Sequence, residues 1–205
     1  MRPESFRPPL TLEGRFLTLV PLRREHVEAL RAASADPEVG RYLLNPPGTS
    51  FDRMETVVEA LLDLERQGTD LPFVQRRVPD GTVVGMTRYL RIDRPNDAVE
   101  IGGTFLDRRC WRTPFNTESK YLLLRHAFEG EGAYRVALQT DLRNVRSQRA
   151  IERLGAVREA VLREDRLLPD GSYRNSVYYS ILADEWPAVR GSLEAKLARP
   201  WAAEG

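Results

Sequence analysis

The sequence predicts one mixed α/β (α+β) domain, and three observations support this prediction. The chain has 205 residues, 41% of them hydrophobic and 30% charged, which is ordinary for one soluble domain with its own core. Two Pro-Asp-Gly turns, at 79–81 and 169–171, each lie between runs rich in β-branched and aromatic residues, as in β-hairpins. Several other segments repeat apolar residues at helical spacing, so strands and helices alternate along the chain.

The order of the predicted elements follows from these patterns. The first hairpin joins residues 73–77 to 83–89, and the second joins 161–168 to 173–182. A further strand at 98–106 contains Gly102 and Gly103, and glycine inside a strand indicates a bulge or a close backbone approach that leaves room for a ligand. The remaining predicted elements are a strand at 134–140, helices at 25–33, 54–65, 117–128 and 146–154, the last ended by Gly155, and a helix beginning near Trp186.

Composition and charge argue against several classes of protein. Cys110 is the only cysteine, so the chain cannot form an internal disulfide or a cysteine-based metal cluster. His26 and His126 are the only histidines and lack metal-ligand spacing, so we expect no metal site. The 31 basic and 30 acidic residues give a net charge of +1, and we therefore expect neither a nucleic acid nor a membrane as partner.

The two ends of the chain are expected to be loosely held. Residues 1–9 are predicted to form a poorly ordered arm, 10–199 the domain and 200–205 a tail. No apolar run approaches the roughly 18 residues of a transmembrane helix. The opening stretch is polar and proline-rich and lacks the apolar core of a signal peptide. These features lead us to expect a cytoplasmic protein.

The strand at 98–106 leads through a basic loop into a predicted helix. Free N–H groups and the positive dipole at a helix start bind phosphate well. Arg108, Arg109 and Arg112 add positive charge to this loop, which favours a diphosphate ligand. Alternatively, Asn116 caps the helix and the arginines are simply solvated.

A second strand-to-helix unit runs from 134–140 through a short polar loop. Asn144 and Ser147 stand at the N-cap and at the third residue of the helix. Local capping would explain both side chains without any ligand. The unit continues as Asn144-x-x-Ser147-x-Arg149-Ala150-Ile151-Glu152-Arg153-Leu154-Gly155.

That motif, with Glu100-Ile101-Gly102 and the 111–118 segment, resembles the GNAT superfamily of acyl-CoA N-acyltransferases, in its ribosomal-protein N-terminal acetyltransferase-like branch. The resemblance runs colinearly from Leu10 to Trp186. It implies a central mixed, mostly antiparallel sheet with splayed middle strands and flanking helices. It also implies an N-acetyltransferase that uses acetyl-CoA as acetyl donor and needs no metal.

The phosphate-binding loop departs from the superfamily pattern, which is Gln or Arg, two residues, Gly, one residue, then Gly or Ala. This chain has Pro114 and Asn116 at the two small-residue positions. Proline has no N–H to offer a phosphate, so one donor is lost. The groups expected to replace it are the side chains of Arg112, Thr113 and Asn116 and the N–H groups of Phe115 and Thr117.

The resemblance also implies where the chemistry takes place. The pantetheine arm would enter between the strands at 98–106 and 134–140 and pair with backbone near Phe105 and Leu106. Glu100 is the candidate base for the acceptor amine, although it could equally be an ordinary solvent-facing carboxylate. Ser147 would give a proton to the departing thiolate, and Asn144 would hydrogen-bond the pantetheine amides or the helix entry.

Other functions stay open. A catalytically inactive module could bind acyl-CoA or a partner protein, as the altered loop favours. The acceptor could be a protein N-terminus or a small amine, held by the early helices, the 41–51 loop and the last hairpin; a homodimer is also left open. A nucleic-acid-binding face is disfavoured because Glu152 and Glu159 interleave its candidate residues, which are Arg143, Arg146, Arg149, Arg153 and Arg158.

Overall fold

A computed structural model of the chain describes residues 1–2, 4–44, 52–78, 80–168 and 171–201. The strands are β1 (Leu12–Glu13), β2 (Leu17–Pro21), β3 (Leu71–Arg77), β4 (Val83–Asp93), β5 (Ala98–Leu106), β6 (Arg135–Asp141), β7 (Val157–Leu167) and β8 (Tyr173–Leu182). The α-helices are α1 (Val27–Ala33), α2 (Pro37–Gly40), α3 (Met54–Gln67), α4 (Phe115–Arg125), α5 (Val145–Leu154) and α6 (Trp186–Leu197).

Within the described ranges, all eight strands belong to one sheet in the order β1-β2-β3-β4-β5-β6-β8-β7. Only the β5–β6 pair is parallel, and every other neighbouring pair is antiparallel. The prediction of a mixed, mostly antiparallel sheet is therefore confirmed. The single parallel pair lies in the middle of the sheet and is followed on both strands by a helix.

Both predicted hairpins form. In the first, the Asp80 carboxylate accepts hydrogen bonds from the N–H and hydroxyl of Thr82, and Gly81 has a φ of +70°. That conformation favours glycine, which explains the turn sequence. The second hairpin joins β7 to β8, and Gly171 again has a positive φ of +82°. Its residues 169–170 lie outside the described part of the chain.

The glycine pair in β5 forms the predicted bulge. Between Met86 and Arg88 the β4–β5 register shifts, because these residues pair with Phe105 and Gly102 respectively. Gly103, inside the bulge, has a φ of +55°. A Cβ at Gly103 would lie 2.8 Å from Nε of Arg88, so glycine is required both by the backbone and by this close approach.

Two apolar layers cover the two faces of the sheet. On one face, helices α4, α5 and α6 pack against β-strand residues such as Tyr89 and Tyr179. On the other face, α1 and α3 pack against Val74 and Met86. Burial of both layers removes apolar surface from water and holds the central strands in place.

The structure corrects two details of the predicted helices. The helix expected at 117–128 begins earlier, at Phe115, and ends in a π-helical turn at His126–Gly130. The helix expected at 25–33 opens as a 3₁₀ turn, Arg24–His26. Within the segment predicted to form an N-terminal arm, Phe6 is 2% exposed and packs edge-on against Tyr89.

Candidate active site

The central feature is a gap between β5 and β6. Their parallel ladder contains three residue pairs and ends where Glu100 pairs with Ala137. Beyond this point β5 continues to Leu106 and β6 to Asp141, with no further pairing between them. The two strands therefore offer unpaired backbone edges to each other, which is an arrangement that can take up an extended ligand.

Backbone direction decides which groups of β5 face this gap. The Phe105 carbonyl accepts a hydrogen bond from Nε2 of Gln75 (3.2 Å), and the Asp107 N–H donates to the Val84 carbonyl (2.7 Å). Both groups therefore point toward β3 and β4. Since backbone groups alternate in direction along a strand, those of Leu106 point into the gap. Phe105 and Leu106 were both predicted to pair with pantetheine, and of the two Leu106 is better placed because its backbone groups face the gap.

Glu100 lies at the closed end of the gap. Its side chain is almost fully buried, so it is not an ordinary solvent-facing carboxylate. One oxygen, Oε2, accepts from Nη1 of Arg91 (2.8 Å), and Oε1 accepts from Nε2 of Gln139 (2.8 Å). The carboxylate is held by β4 on one side and by β6 on the other, which fixes its position across the gap.

The start of α4 lies at the open end of β5. Pro114 is the N-cap and contributes no capping side chain. The Asn116 and Thr117 N–H groups have no acceptor among the described residues. Asn116 lies inside the first turn, and the alternative in which it caps the helix is wrong. The Thr113 hydroxyl donates to the Cys110 carbonyl (2.7 Å) and is therefore committed to the loop.

The three arginines of this loop have different environments. Arg108 pairs with Asp36 (2.9 Å), and Arg109 pairs with Asp107 (2.6 Å), so carboxylates already neutralise both. Arg112 makes no ion pair or hydrogen bond within the described ranges. Its φ of +66° is unusual for a side-chain-bearing residue. Arg112 is thus the loop cation that stays available for an anion.

At the start of α5, Asn144 and Ser147 have different roles, although local capping could have explained both side chains from the sequence. Oδ1 of Asn144 accepts from the Ser147 N–H (3.0 Å) and caps the helix. The Ser147 hydroxyl has no hydrogen-bond partner in the described part of the chain. Capping therefore explains Asn144 but not the hydroxyl of Ser147.

A contact across the mouth of the gap was not predicted. The Arg146 guanidinium stacks on the Trp111 ring, 3.5 Å from its centroid, and joins the loop after β5 to the start of α5. The Trp111 indole N–H donates to the Leu106 carbonyl (3.0 Å). Arg146 is one of the residues named above for a disfavoured nucleic-acid-binding face, and the structure places it at this mouth by aromatic stacking. Arg143 does pair with an acidic residue, Asp141 (2.7 Å).

Glu118 is a second residue that sequence reasoning missed. Its buried carboxylate accepts from the backbone N–H groups of Arg15, Phe16 and Leu17 at 2.7–2.8 Å. A Cβ at Gly14 would come within 2.6 Å of this carboxylate, so Gly14 must be small. The network ties α4 to the β1–β2 turn. The sequence signal was the Glu-Gly-Arg segment at 13–15 together with an acidic residue in the first turn of α4.

The described residues offer neither a metal cluster nor a membrane span. No group of three or more His, Cys, Asp or Glu side chains among them is placed to hold a metal ion. No helix in the described ranges is long and apolar enough to cross a membrane. The predicted acceptor loop at 41–51 lies mostly outside the described residues, which end at 44 and resume at 52.

The chain is similar to known acetyltransferases along most of its length. It is 30% identical over 141 residues to the Bacillus subtilis (strain 168) protein named "Putative ribosomal N-acetyltransferase YdaF", covering 68% of this chain and 74% of the relative. It is 26% identical over 154 residues to "Uncharacterized N-acetyltransferase p20" of Bacillus licheniformis, covering 75% of this chain and 86% of that protein.

Solved structures share the whole fold. A "putative acetyltransferase" from T. thermophilus is 41% identical with a TM-score of 0.83, covering 93% of this chain and 98% of that one. Mycobacterium smegmatis RimJ, solved with CoA-disulfide, is 20% identical with a TM-score of 0.80, covering 95% and 98%; at that identity it supports the fold alone.

Residues 17–157 match the family model described as "Acetyltransferase (GNAT) domain". This match covers more than half of the chain and includes β5, the start of α4, β6 and α5. The chain therefore belongs to the GNAT acetyltransferase family and is an acyl-CoA-dependent N-acetyltransferase.

Proposed function

We propose that the chain binds acetyl-CoA in the gap between β5 and β6 and transfers the acetyl group directly to a primary amine. The observation that carries the proposal is the end of the β5–β6 ladder at Glu100 and Ala137, which leaves two facing strand edges unpaired. The pantetheine arm is an extended chain with amide groups, and it can pair with such an edge at the Leu106 N–H, since the Trp111 indole already occupies the Leu106 carbonyl.

The start of α4 is the proposed site of the CoA diphosphate. Pro114 supplies no N–H, but the Asn116 and Thr117 N–H groups, the Asn116 side chain and the Arg112 guanidinium remain. A helix N-terminus and a cation favour the same anion, so these groups compensate for the missing glycine. Thr113 and Phe115 would act chiefly by shaping the loop, since the Thr113 hydroxyl is held by the Cys110 carbonyl.

Glu100 is the proposed general base. Arg91 and Gln139 orient its carboxylate, and each carboxylate oxygen has a second lone pair for the acceptor ammonium or an intervening water. As the amine nitrogen attacks the thioester carbonyl carbon, a C–N bond forms and Glu100 takes the amine proton. Burial beside two fixed partners keeps the base in one position throughout the reaction.

Ser147 is the proposed proton donor for the leaving group. When the C–S bond breaks, the CoA sulfur carries negative charge and needs a proton. Asn144 caps α5, so the Ser147 hydroxyl is not used as a helix cap. Ser147 would regain a proton from water as it gives its own to the sulfur, and Glu100 would release the amine proton to solvent, so both groups return to their starting forms. Asn144 would also offer its side-chain N–H groups to a pantetheine carbonyl.

A protein N-terminal amine is the first acceptor to test. The support for this choice is the name of the Bacillus subtilis relative, a ribosomal N-acetyltransferase. Small-molecule amines form the second class. We place this activity in the cytoplasm, a proposal supported by the lone, buried Cys110.

The test is release of free CoA thiol from acetyl-CoA in the presence of a panel of peptides and small amines, with the acetylated product identified by mass spectrometry. We expect acceptor-dependent thiol release and a product heavier by one acetyl group. Acetyl-CoA binding without turnover on any acceptor would instead support the alternative of an inactive acyl-CoA-binding module. Absence of both binding and turnover would overturn the proposal.

A further inference from the structure

Lys120 is a buried lysine that the proposed chemistry leaves unused. It lies on α4, is 6% exposed, and reaches the sheet through two hydroxyl groups. Its Nζ donates to Oγ1 of Thr104 (2.5 Å) and to Oγ1 of Thr87 (3.3 Å), and these two hydroxyls are 2.8 Å apart. Thr87 belongs to β4 and Thr104 to β5, so the lysine bridges the strands beside the β5 bulge.

A second buried cation lies on the opposite face of the same bulge. Since successive side chains of a strand alternate between faces, Arg88 points away from Thr87 and α4. Nε of Arg88 packs against Gly103, and its guanidinium pairs with Asp70 (2.9 Å). The backbone at Gly103 and Thr104 therefore runs between two buried basic side chains, in the part of β5 that faces the gap.

No carboxylate of the described residues balances Lys120. The groups that face it from β4 and β5 are the Thr87 and Thr104 hydroxyls. Glu118, on the same helix, is occupied by the β1–β2 turn, and the Tyr89 hydroxyl donates to the Leu123 carbonyl. Burial lowers the pKa of Lys120 to about 7, so its charge changes within the physiological range.

The presence of lysine rather than arginine at position 120 is also informative. Only two of the 31 basic residues of the chain are lysines, Lys120 and Lys196. A guanidinium stays charged under all ordinary conditions, whereas a lysine can exist in either form when buried. Burying an ammonium group without a counter-charge is unfavourable for stability, so a purely structural role would be better served by an apolar side chain.

We propose that Lys120 is a positioning and electrostatic residue for acetyl transfer: it fixes the bulge through Thr104 and stabilises the negative charge that develops on the thioester oxygen. This inference rests on the proposed placement of acetyl-CoA between β5 and β6. A fixed positive charge at low local dielectric has a larger effect on a developing charge than it would in water. The charge acts through the strand, without direct contact to substrate.

The principal test compares Lys120→Met with the parent and with Lys196→Met, which removes the only other lysine. We expect Lys120→Met to lower kcat at least about tenfold with little change in acetyl-CoA affinity, and Lys196→Met to leave both unchanged. The ratio of parent to Lys120→Met rates should be largest below pH 7 and fall as Lys120 loses its charge. Titration of the acceptor amine is common to both proteins and cancels in this ratio.

A second readout does not depend on turnover. Infrared spectra of bound acetyl-CoA carrying ¹³C at the thioester carbonyl report its polarisation. We expect the carbonyl band at lower frequency in the parent than in Lys120→Met. If Lys120→Met does not fold, Thr104→Val tests the same link, with Thr104→Ser as the matched control that keeps the hydroxyl.

The outcomes separate this inference from the proposed function. A parent without turnover on any acceptor would refute the proposed function, while the infrared shift would still test Lys120. A folded Lys120→Met with parental kcat and an unchanged carbonyl band would overturn the inference. A loss of rate that is the same at every pH would also overturn it, because it would indicate a packing role.

Discussion

Gln139 donates its side-chain amide to Oε1 of Glu100 over 2.8 Å, although backbone pairing between their strands ends at Glu100 and Ala137. The hydrogen bond crosses the closed end of the gap and replaces the ladder with a side-chain contact. Together with Arg91, it places a buried carboxylate where two strands separate. The position of Glu100 thus depends on three strands, which makes its replacement a sharp test of the site.

Replacing Glu100 by Gln should lower kcat about a hundredfold while acetyl-CoA affinity stays nearly unchanged, because the change removes the base and keeps the shape. The fold should tolerate it, since Oε1 of Gln139 has no partner among the described residues and a flipped Gln139 amide can accept from the new side chain. Steady-state kinetics and calorimetry measure the two quantities. Rate should recover partly at high pH, where the acceptor amine deprotonates unaided. An unaltered rate near neutrality would remove Glu100 from the mechanism.

Arg112→Ala should weaken CoA binding more than binding of pantetheine, which lacks the phosphates. The reason is that Arg112 is the loop arginine without a carboxylate partner in the described structure. Arg109→Ala is the matched control, because Asp107 already occupies its guanidinium. Calorimetric titration of both ligands into the three proteins checks the prediction. Equal losses for CoA and pantetheine would contradict a phosphate contact.

Ser147→Ala should reduce kcat at least about tenfold and change the free energy of unfolding by less than about 0.5 kcal/mol. The hydroxyl makes no hydrogen bond in the described structure, and Asn144 retains the cap. Asn144→Ala should instead cost about 1 kcal/mol, as expected for a lost N-cap. Denaturation and kinetics should be measured on the same samples. A fully active Ser147→Ala variant would leave water as the proton donor.

Lys120 should make stability depend on pH. Its pKa in the folded state, about 7, is below that of an unfolded lysine, so the unfolded chain binds more protons between these values. The contribution of Lys120 to stability is therefore least favourable below pH 7 and improves as the pH rises above it. Lys120→Met should be more stable than the parent at pH 6, and this difference should shrink at alkaline pH. Urea denaturation at a series of pH values measures it; a constant difference would contradict the buried, shifted lysine.

The fold could be predicted closely where local patterns dominate. The bounds of β5 and the presence of both hairpins follow from alternation, β-branched residues and turn chemistry, and the bulge follows from the Gly102-Gly103 pair. The hairpin strands are longer than predicted, because β4 continues to Asp93 and β7 begins at Val157. The predicted start of α4 is two residues late, because Pro114 and Phe115 resemble loop residues in the sequence. Proline is well tolerated at a helix start, so that signal was available.

The features that could not be predicted, the Trp111–Arg146 stacking and the surroundings of Lys120, depend on contacts between residues far apart in the sequence. Trp111 lies in the loop after β5 and Arg146 in the first turn of α5, and their stacking depends on how β5 and β6 separate. Lysine is almost always exposed, so nothing in the local pattern of α4 singles out Lys120. Only the tertiary structure brings Thr87 and Thr104 to its amine. Catalytic roles depend on such contacts more than on local propensity.

Acetyl-CoA is proposed to occupy the gap between β5 and β6, and every role assigned to the site residues depends on this placement. Residue-resolved amide hydrogen exchange, measured with and without millimolar acetyl-CoA, locates the bound molecule. We expect slower exchange at the Leu106 amide and at the Asn116 and Thr117 amides, with no change in the β1–β2 hairpin on the far edge of the sheet. Unchanged exchange at Leu106, or protection confined to another surface, would contradict it.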